Sequence, residues 1–419
     1  MSKKIIFCLG LYFALLLVYV VFSYSLTAPN LILTSWTPYW RFQLYMWKTF
    51  FNDRELLIPT YAALISTLWL SYFWLIYSLN YSSASWRTRL LNYSKYFLFS
   101  AYCLFTLPLL FANNALSYDV FNYIFNAKMV AVYQANPHVK VALDYYYDDW
   151  TRFMHNTHTP APYGYGWTAL SLIPYYLGQE KFLLTWFLFR GFSLVSLWLL
   201  AWMYLKKSEN ALRICIVLFN PLVLLEIITN SHNDLWMMVP ALSSLLLLTG
   251  LNKKNFTASA LKILASIVLL AFSISMKLAT IVLIPIWIIL LLSSFFKNLP
   301  FKSLLPWWPV AASVLMFIPL LTLRSQQFHP WYLTWTLIWL PFFPSLTTPK
   351  PLFQLTRWWS IFLITLSVTS LYRYIPYFHA GNFDGSVLLH QKMITWSAVP
   401  ISLIMWAIGR FFTQPTNNS

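Results

Sequence analysis

The chain has 419 residues, of which 59% are hydrophobic and only 9% are charged. Soluble domains carry about 25% charged residues, so this composition excludes a water-soluble fold and makes lipid the solvent for most of the exterior. The net charge of +17 does not indicate nucleic-acid binding, because the basic residues stand singly or in pairs at the ends of apolar runs. Cys8, Cys103 and Cys215 lie inside apolar runs and share no metal-ligand spacing.

Apolar runs predict an all-α polytopic membrane protein with about 12 transmembrane helices (11–13), forming one domain over residues 1–419. A helix needs about 20 apolar residues to cross a bilayer. The run at 166–178 is shorter, and it is either a thirteenth span or a helix lying in the outer interface. The predicted spans are 5–26, 57–79, 96–112, 182–205, 212–229, 235–250, 261–276, 278–294, 304–323, 331–346, 357–372 and 391–409.

The charges between these runs predict their orientation. With both termini in the cytoplasm, the inner turns carry more than half of the 28 basic residues, including Lys3, Arg87 and Lys206. Of the 11 acidic residues, Glu209 alone falls on that side. If 166–178 crossed the membrane, every later loop would change sides and its basic residues would lie outside. The charge pattern therefore favours an interfacial helix at 166–178.

The longest polar segment is an extracytoplasmic loop at about 113–165. It is rich in Tyr, Trp and Asn and has no low-complexity run, so we expect it to be structured. Asp119 stands where the third span emerges, before residues with helical apolar spacing, which places one carboxylate at the water–lipid boundary. The alternative is structural, because Ser117 or Asp119 can cap that helix.

A second polar cluster lies in NPLVLLEIITNSHNDLWMM. Glu226, Asn230, Asn233 and Asp234 share one helix face if the helix continues through them. Glu226 is inside an apolar run, where an ionisable group indicates a functional site. The alternatives are a polar contact between helices, or capping of the next helix by Asn233 or Asp234. His232 and Asp234 alone are weak evidence for a metal site, so no metal or other cofactor is expected.

Basic side chains within or beside apolar runs form the third candidate group. Lys277 separates two runs that are each barely long enough to span, and Arg190 lies about eight residues into its span. Arg324 and His329 mark a helix end before Pro330. Several such basic groups around one cavity on the outer face would bind an anionic lipid head group. Arginine would contribute bidentate hydrogen bonds, and lysine a compact positive charge.

These segments together resemble the GT-C glycosyltransferase superfamily, and most closely its bacterial polyprenol-phosphate-mannose-dependent mannosyltransferases. SYDVFNYIFNAKMVAVYQANPH resembles the first-loop motif, and APYGYGW resembles the segment that ends this loop. NPLVLLEIITNSHNDLWM is similar to the Asn-Pro-Leu…Glu…His-Asn-Asp segment, MKLATIVLIP to the lysine-containing span, and FHPWYLTW to the Pro-Trp-Tyr turn. The chain departs from the family in having only nine glycines and in having His138 where Tyr often follows Asn-Pro.

The resemblance implies that a hexose, expected to be mannose, moves from a polyprenyl-phosphate carrier to a hydroxyl of a glycolipid, glycan or other acceptor. Transfer occurs with inversion on the extracytoplasmic face of a bacterial plasma membrane. By position, Asp119 is the catalytic base, and Lys277, His329, Arg190 and Arg324 bind the donor phosphate. The implied substrate-binding residues are Tyr118, Glu226, Asn230, His232, Asn233, Asp234, Tyr163, Tyr165, Trp331 and Tyr332.

A secondary transporter or lipid flippase is the principal alternative, because it too has about a dozen helices and intramembrane charge. Transporters typically show internal repeats and helices broken by glycine or proline near the midplane. This chain has few glycines and no detectable repeat, and most of its carboxylates are predicted at the outer face. An acyltransferase or phosphotransferase is a further alternative, with His155 and His158 available but no neighbouring carboxylate.

Overall fold

A computed structural model describes residues 3–27, 31–81, 95–251, 256–296, 302–321, 328–344 and 350–411. This part of the chain is all-helical and contains no strand. Short 3₁₀ and π turns connect the α-helices. The α-helices are α1 (Lys3–Phe22), α2 (Thr37–Met46), α3 (Arg54–Tyr81), α4 (Lys95–Thr106), α5 (Asp119–Ala131), α6 (Tyr165–Leu177), α7 (Phe182–Lys207), α8 (Ala211–Leu218), α9 (Pro221–Leu224), α10 (Asp234–Thr249), α11 (Phe256–Met276), α12 (Ile284–Phe295), α13 (Trp308–Leu315), α14 (Thr334–Leu337), α15 (Lys350–Tyr372), α16 (Ile375–Ala380), α17 (Gly385–Trp396) and α18 (Ala398–Phe411).

Within the described residues, eight helices are long and apolar enough to cross a membrane: Lys3–Leu26, Arg54–Tyr81, Phe182–Lys207, Thr257–Met276, Leu278–Phe295, Ser303–Leu321, Leu352–Ala380 and Gly385–Gly409. Ala211–Leu218 and Pro221–Thr229, bent by 50° at the break between them, add a ninth only if the pair is one broken span and not a re-entrant loop. Lys95–Phe111 and Asp234–Thr249 are apolar but shorter. The chain is therefore a polytopic all-α membrane protein, whereas the predicted number of 12 spans is not confirmed.

Two predicted segments have instructive structures. Residues 331–346 do not form one long helix, because the described part consists of three short turns at Pro330–Leu333, Thr334–Leu337 and Leu340–Phe342. The short run at 166–178 forms α6, which has 13 residues and is not among the candidate spans. Arg87, one of the inner-face charges, lies outside the described residues.

The spans expose large apolar side chains along their length, while the interior is packed around α10. Leu261, Leu264 and Ile404 are exposed, as expected for side chains that face lipid. The inner face of α10 is buried against α7 and α11. Since α10 begins at Asp234, this packing fixes the position of the polar segment that precedes it.

The 113–165 segment is ordered and packs on the helices. Lys128 forms an ion pair of 2.6 Å with Asp148, and the Tyr133 hydroxyl donates to the same carboxylate at 2.7 Å. Burial alone raises the pKa of Asp148, but these two donors and the Trp150 backbone N–H lower it on balance, so this carboxylate stays ionised. The predicted structure of this segment is confirmed.

Two glycines allow the end of this segment to dock on the end of α11. The Gly164 N–H donates to the Met276 carbonyl at 2.8 Å. A Cβ at Gly164 would stand 2.0 Å from the Ser275 carbonyl oxygen, and one at Gly166 would stand 2.2 Å from the Ser275 hydroxyl. Only glycine permits this approach, which brings the end of the segment beside Lys277.

Candidate active site

A break in the helix creates the central polar segment. The chain runs from α9 through a π turn at Leu225–Thr229, and α10 begins at Asp234. Ser231 between them adopts the left-handed conformation with φ 62°, which a non-glycine residue rarely takes. The helix does not continue through residues 226–234, so the condition under which their polar side chains would share one helix face is not met. Asn233 takes the N-cap position of α10, but its side chain makes no capping hydrogen bond.

Asp119 is the first residue of α5, and its side chain is 20% exposed. Tyr118 takes the N-cap position and makes no side-chain capping bond, while the Asp119 backbone N–H donates to the Ser117 hydroxyl at 3.3 Å. The carboxylate is thus not used as a helix cap. One carboxylate oxygen faces the ring of His232, with 3.6 Å between Asp119 Oδ2 and His232 Nδ1.

His232 lies between two carboxylates. Its other ring nitrogen, Nε2, is 3.3 Å from Glu226 Oε2, and both His232 and Glu226 are fully buried. Glu226 also accepts hydrogen bonds from the Asn230 amide at 3.1 Å and from the Tyr374 hydroxyl at 2.8 Å. Asp119, His232 and Glu226 therefore form a continuous line from a partly exposed carboxylate to a buried one.

A second ion pair lies beside this line. Lys277 Nζ is 2.7 Å from Asp234 Oδ1, and the Trp335 indole N–H donates to the same oxygen at 2.6 Å. Lys277 reaches this position because the helix is broken there, with extended backbone angles at Lys277 between α11 and the turn Leu278–Leu283. Its ammonium also lies 5.4–5.7 Å from the ring centroids of Tyr163, Tyr332 and Trp335. Neither Asp234 Oδ2 nor Asn233 Oδ1 has a hydrogen-bond partner among the described residues.

A stack of rings joins the two halves of the site. The Trp331 ring lies 3.9 Å from the ring of His232 and 4.5 Å from that of His329, with interplanar angles of 18° and 14°. Burial of the His329 ring, with smaller effects from Arg373, His232 and Lys277, lowers the pKa of His329 to about 3. His329 is therefore a neutral hydrogen-bonding group at pH 7 and not a cation.

Arg190 lies in the closed interior and not in an open site. It is fully buried, and its guanidinium donates to the Asn114 side chain and to backbone carbonyls of Leu109, Leu110 and Thr229 at 2.8–3.2 Å. The backbone acceptors lie at broken helix ends, where carbonyls need partners from outside the helix. The geometry gives no support to Arg190 as a phosphate ligand. Arg324, predicted for the same role, lies outside the described residues.

The aromatic candidates divide into two groups. Trp331, Tyr332 and Tyr163 surround the site as described, whereas the Tyr165 ring packs on His138 with 4.0 Å between the ring centroids. The Tyr165 hydroxyl accepts a hydrogen bond from the Asn136 amide at 3.2 Å. Tyr165 thus lies at the outer end of α6 and is not brought into contact with the other candidates.

Several site residues were not identified from the sequence. Tyr374 and Arg373 lie near the end of α15, far along the chain from the partners that they approach, although the charge of Arg373 within an apolar run is a signal. His155 was considered only for acyl transfer, yet its ring lies 4.1 Å from that of Tyr118. Trp335 belongs to the FHPWYLTW motif, in which His329, Trp331 and Tyr332 were selected from the sequence but Trp335 was not.

Part of the site, up to Lys277, lies within the range matched by a known family. The family described as alpha-(1->6)-mannopyranosyltransferase, N-terminal domain, matches residues 9–293, which include Asp119, the 226–234 segment and Lys277. No curated protein and no solved structure matches the chain. No group of three or more His, Cys, Asp or Glu residues in the described part of the chain is placed to hold a metal ion. Since the matched range covers more than half of the sequence, the chain belongs to this family of mannosyltransferases.

Proposed function

We propose that the protein transfers mannose from a polyprenyl-phosphate carrier to a hydroxyl group of a glycan or glycolipid, with inversion, at the extracytoplasmic face of the membrane. Membership in a mannosyltransferase family supports the sugar and the reaction class. The observation that carries the donor assignment is the site itself. One partly exposed carboxylate, Asp119, stands near a lysine ammonium and a neutral imidazole, within a protein whose apolar helices suit a lipid-linked substrate.

Asp119 acts as the general base. The leaving group is a phosphate, whose second pKa is about 6, so no protonated acid is needed to expel it. One carboxylate therefore suffices, in contrast to the acid–base pair of glycoside hydrolases. Asp119 accepts the proton of the acceptor hydroxyl while that oxygen forms its bond to the sugar C1. A base in this position contributes roughly 10²–10⁴-fold to the rate.

Lys277 and His329 stabilise the departing phosphate. As the C1–oxygen bond breaks, the phosphodiester becomes a monoester and gains negative charge, so a fixed ammonium and an N–H donor are worth more in the transition state than with bound substrate. Lys277 is 12% exposed, and its ion pair with Asp234 fixes the position of the ammonium. The ion pair neutralises only part of the positive charge, and the rest acts on the phosphate. His329, being neutral, donates without the repulsion that a second cation beside Lys277 would cause.

The unpartnered oxygens of Asp234 and Asn233 accept hydrogen bonds from the mannose hydroxyls. Buried polar atoms normally have partners, and Asp234 Oδ2 belongs to the carboxylate that pairs with the Lys277 ammonium. Trp331 and Tyr332 present aromatic faces to the sugar ring. Recognition of hydroxyls by such groups is strongly selective, because an analogue that lacks the hydroxyl leaves a buried acceptor without a partner.

The family description extends the proposal to the linkage. An α-(1→6) product arises when the 6-hydroxyl of a mannose acceptor attacks C1. If that attack inverts C1, the donor carries mannose in a β linkage to phosphate. The acceptor oxygen and the leaving phosphate then lie on opposite faces of the sugar, with Asp119 on one side and Lys277 on the other.

Transfer by purified protein in detergent tests this function. We expect a radiolabelled β-mannosyl phosphopolyprenol to yield an α-linked mannosyl product with a mannose-bearing acceptor, and GDP-mannose to yield none. Detergent abolishes the two compartments that a transporter needs, so turnover there also separates an enzyme from the transporter alternative. Consumption of GDP-mannose, or absence of transfer from every polyprenyl-phosphate sugar, contradicts the donor assignment.

A further inference from the structure

The line from Asp119 to Glu226 has a feature that substrate binding does not explain. His232 and Glu226 are both 0% exposed, and Asp119 is the member of this line whose side chain is partly exposed, at 20%. Each ring nitrogen of His232 faces a carboxylate, but in the described part of the chain neither nitrogen completes a regular hydrogen bond. A fully buried imidazole held in this way is suited to exchange protons with its neighbours.

Glu226 is surrounded by hydrogen-bond donors. Its two oxygens face three donors, namely the Tyr374 hydroxyl, the Asn230 amide and His232 Nε2. A buried carboxylate is tolerated only with such a set of donors or with a cation. Among the basic groups of the described chain, the His232 ring is the one within ion-pair distance of Glu226. The ring is thus tied to Glu226 and turns its Nδ1 toward Asp119.

The groups around this line come from several helices. Tyr19 of α1 and Tyr61 of α3 lie near Glu226, and Tyr374, between α15 and α16, donates a hydrogen bond to it. His329 faces His232 through the Trp331 stack, with Arg373 and Lys277 beyond it. His155 lies near Asp119 on its outer side. The three tyrosines around Glu226 are neutral, so the charge balance of the line rests on His232.

We propose that Glu226 and His232 form a buried proton relay behind Asp119, in which Glu226 orients the imidazole and the imidazole takes the proton that Asp119 removes from the acceptor. The relay rests on the proposed function of Asp119. It reassigns Glu226 and His232 from substrate binding to positioning, because both act on the reaction only through Asp119.

The proposed step balances as follows. The acceptor O–H bond breaks, its proton goes to Asp119, the acceptor oxygen bonds to C1, and the C1–phosphate bond breaks with its electron pair going to the phosphate. The proton then moves from Asp119 to His232 Nδ1, while Nε2–H stays directed at Glu226. The resulting imidazolium lies between two carboxylates. Because Asp119 has given up the proton, it cannot return it to the product oxygen. After product release, water removes the proton through Asp119. The same logic, with a carboxylate fixing an imidazole, operates in hydrolase triads.

Two substitutions and one matched control test the relay. Glu226→Gln keeps the shape but removes the charge, and Tyr374→Phe removes one donor to Glu226. Tyr204→Phe is the control, because Tyr204 is equally buried and its hydroxyl donates to the backbone carbonyl of Ile338, away from the site. For each variant, kcat, the donor KM and the thermal unfolding temperature are measured with the full chain in detergent.

We expect Glu226→Gln to lower kcat by about 10- to 100-fold, within the range of general base catalysis, and to leave the donor KM within about twofold of wild type. Tyr374→Phe lowers kcat by about 3- to 10-fold, and Tyr204→Phe does not lower it. In an Asp119→Asn background, Glu226→Gln causes no further loss in the residual single-turnover rate, because the relay works only through Asp119.

The outcomes separate the relay from the proposed function. If Asp119→Asn abolishes transfer but Glu226→Gln and Tyr374→Phe keep wild-type kcat, the relay is wrong and the function stands. If Asp119→Asn keeps wild-type turnover, the function fails first. A further loss from Glu226→Gln in the Asp119→Asn background, or equal losses from Tyr374→Phe and Tyr204→Phe, identifies a structural role and also overturns the relay. If Glu226→Gln does not fold, the comparison of the two tyrosine variants decides.

Discussion

Replacing Lys277 by methionine tests the phosphate-binding half of the site and its coupling to Asp234. Methionine keeps much of the length of lysine but removes the ammonium. Asp234 is fully buried, and in the variant its Oδ1 keeps only the Trp335 indole as partner, while Oδ2 already has none among the described residues. The substitution therefore has two separable effects, one on folding and one on donor binding.

The surroundings of Lys277 determine the expected size of both the stability loss and the affinity loss. Removing one partner of a buried ion pair costs about 3–5 kcal/mol, because the remaining charge loses its compensation. The double variant Lys277→Met with Asp234→Asn removes both charges and is expected to recover most of that loss. Donor affinity behaves differently, because one charge-assisted contact to phosphate is worth about 1.5–3 kcal/mol, or roughly 10- to 150-fold in Kd. Both variants lose that contact.

Thermal unfolding in detergent measures the first effect, and binding of a radiolabelled mannosyl phosphopolyprenol measures the second. Binding is measured in the Asp119→Asn background, so that turnover does not consume the donor. We expect the single variant to unfold at a clearly lower temperature than wild type, the double variant to unfold near wild type, and both to bind donor weakly. A double variant that binds donor as tightly as wild type refutes the contact between Lys277 and phosphate.

Three further predictions concern the surroundings of the site. Gly164→Ala places a Cβ about 2 Å from the Ser275 carbonyl oxygen, so the loop end must move away; we expect a kcat loss of about 10-fold or more, measured against Gly10→Ala, where a Cβ meets nothing within 4 Å. Arg190→Gln removes guanidinium donors from the buried carbonyls of Leu110 and Thr229 and lowers the unfolding temperature; an Arg190→Gln variant that keeps its unfolding temperature and has lost only donor affinity contradicts its structural role. Asp148→Asn removes the partner of Lys128 and costs about 3 kcal/mol at pH 7. Because the pKa of Asp148 is lowered by folding, the wild-type chain keeps this contribution above about pH 4 and loses it as the pH falls further, so stability curves of the two proteins converge at low pH.

Much of the fold follows from the sequence because a membrane span is a long average. Apolar runs of about twenty residues located the long helices, and the charge at Lys277 correctly marked a break between two of them. The run at 331–346 shows the limit of such averages. Its hydrophobicity reflects burial among other helices, and Pro330 and Pro341 divide it into short turns. Hydropathy alone cannot separate a buried broken segment from a span.

The candidate site was predicted in its parts but not in its arrangement. Asp119, His232 and Lys277 were each identified, and the structure brings them into one cluster. Whether one helix continues through 226–234 was left open by the sequence, because the left-handed conformation of Ser231, which interrupts it, has no sequence signal. Arg190 was assigned to phosphate because the carbonyls that it binds become available only where the helices break. Tyr374 was missed since its bond to Glu226 joins residues far apart in the chain.

The most direct measurement for the whole account is the rate of mannose transfer by the Asp119→Asn variant, compared with wild type at equal donor occupancy. Asparagine preserves the size of the side chain and removes the group that takes the proton. The account predicts a kcat at least about 100-fold lower than wild type, with donor Kd and unfolding temperature nearly unchanged. Turnover at the wild-type rate would show that the proton of the acceptor leaves by another route, and the mechanism built on this carboxylate would be wrong.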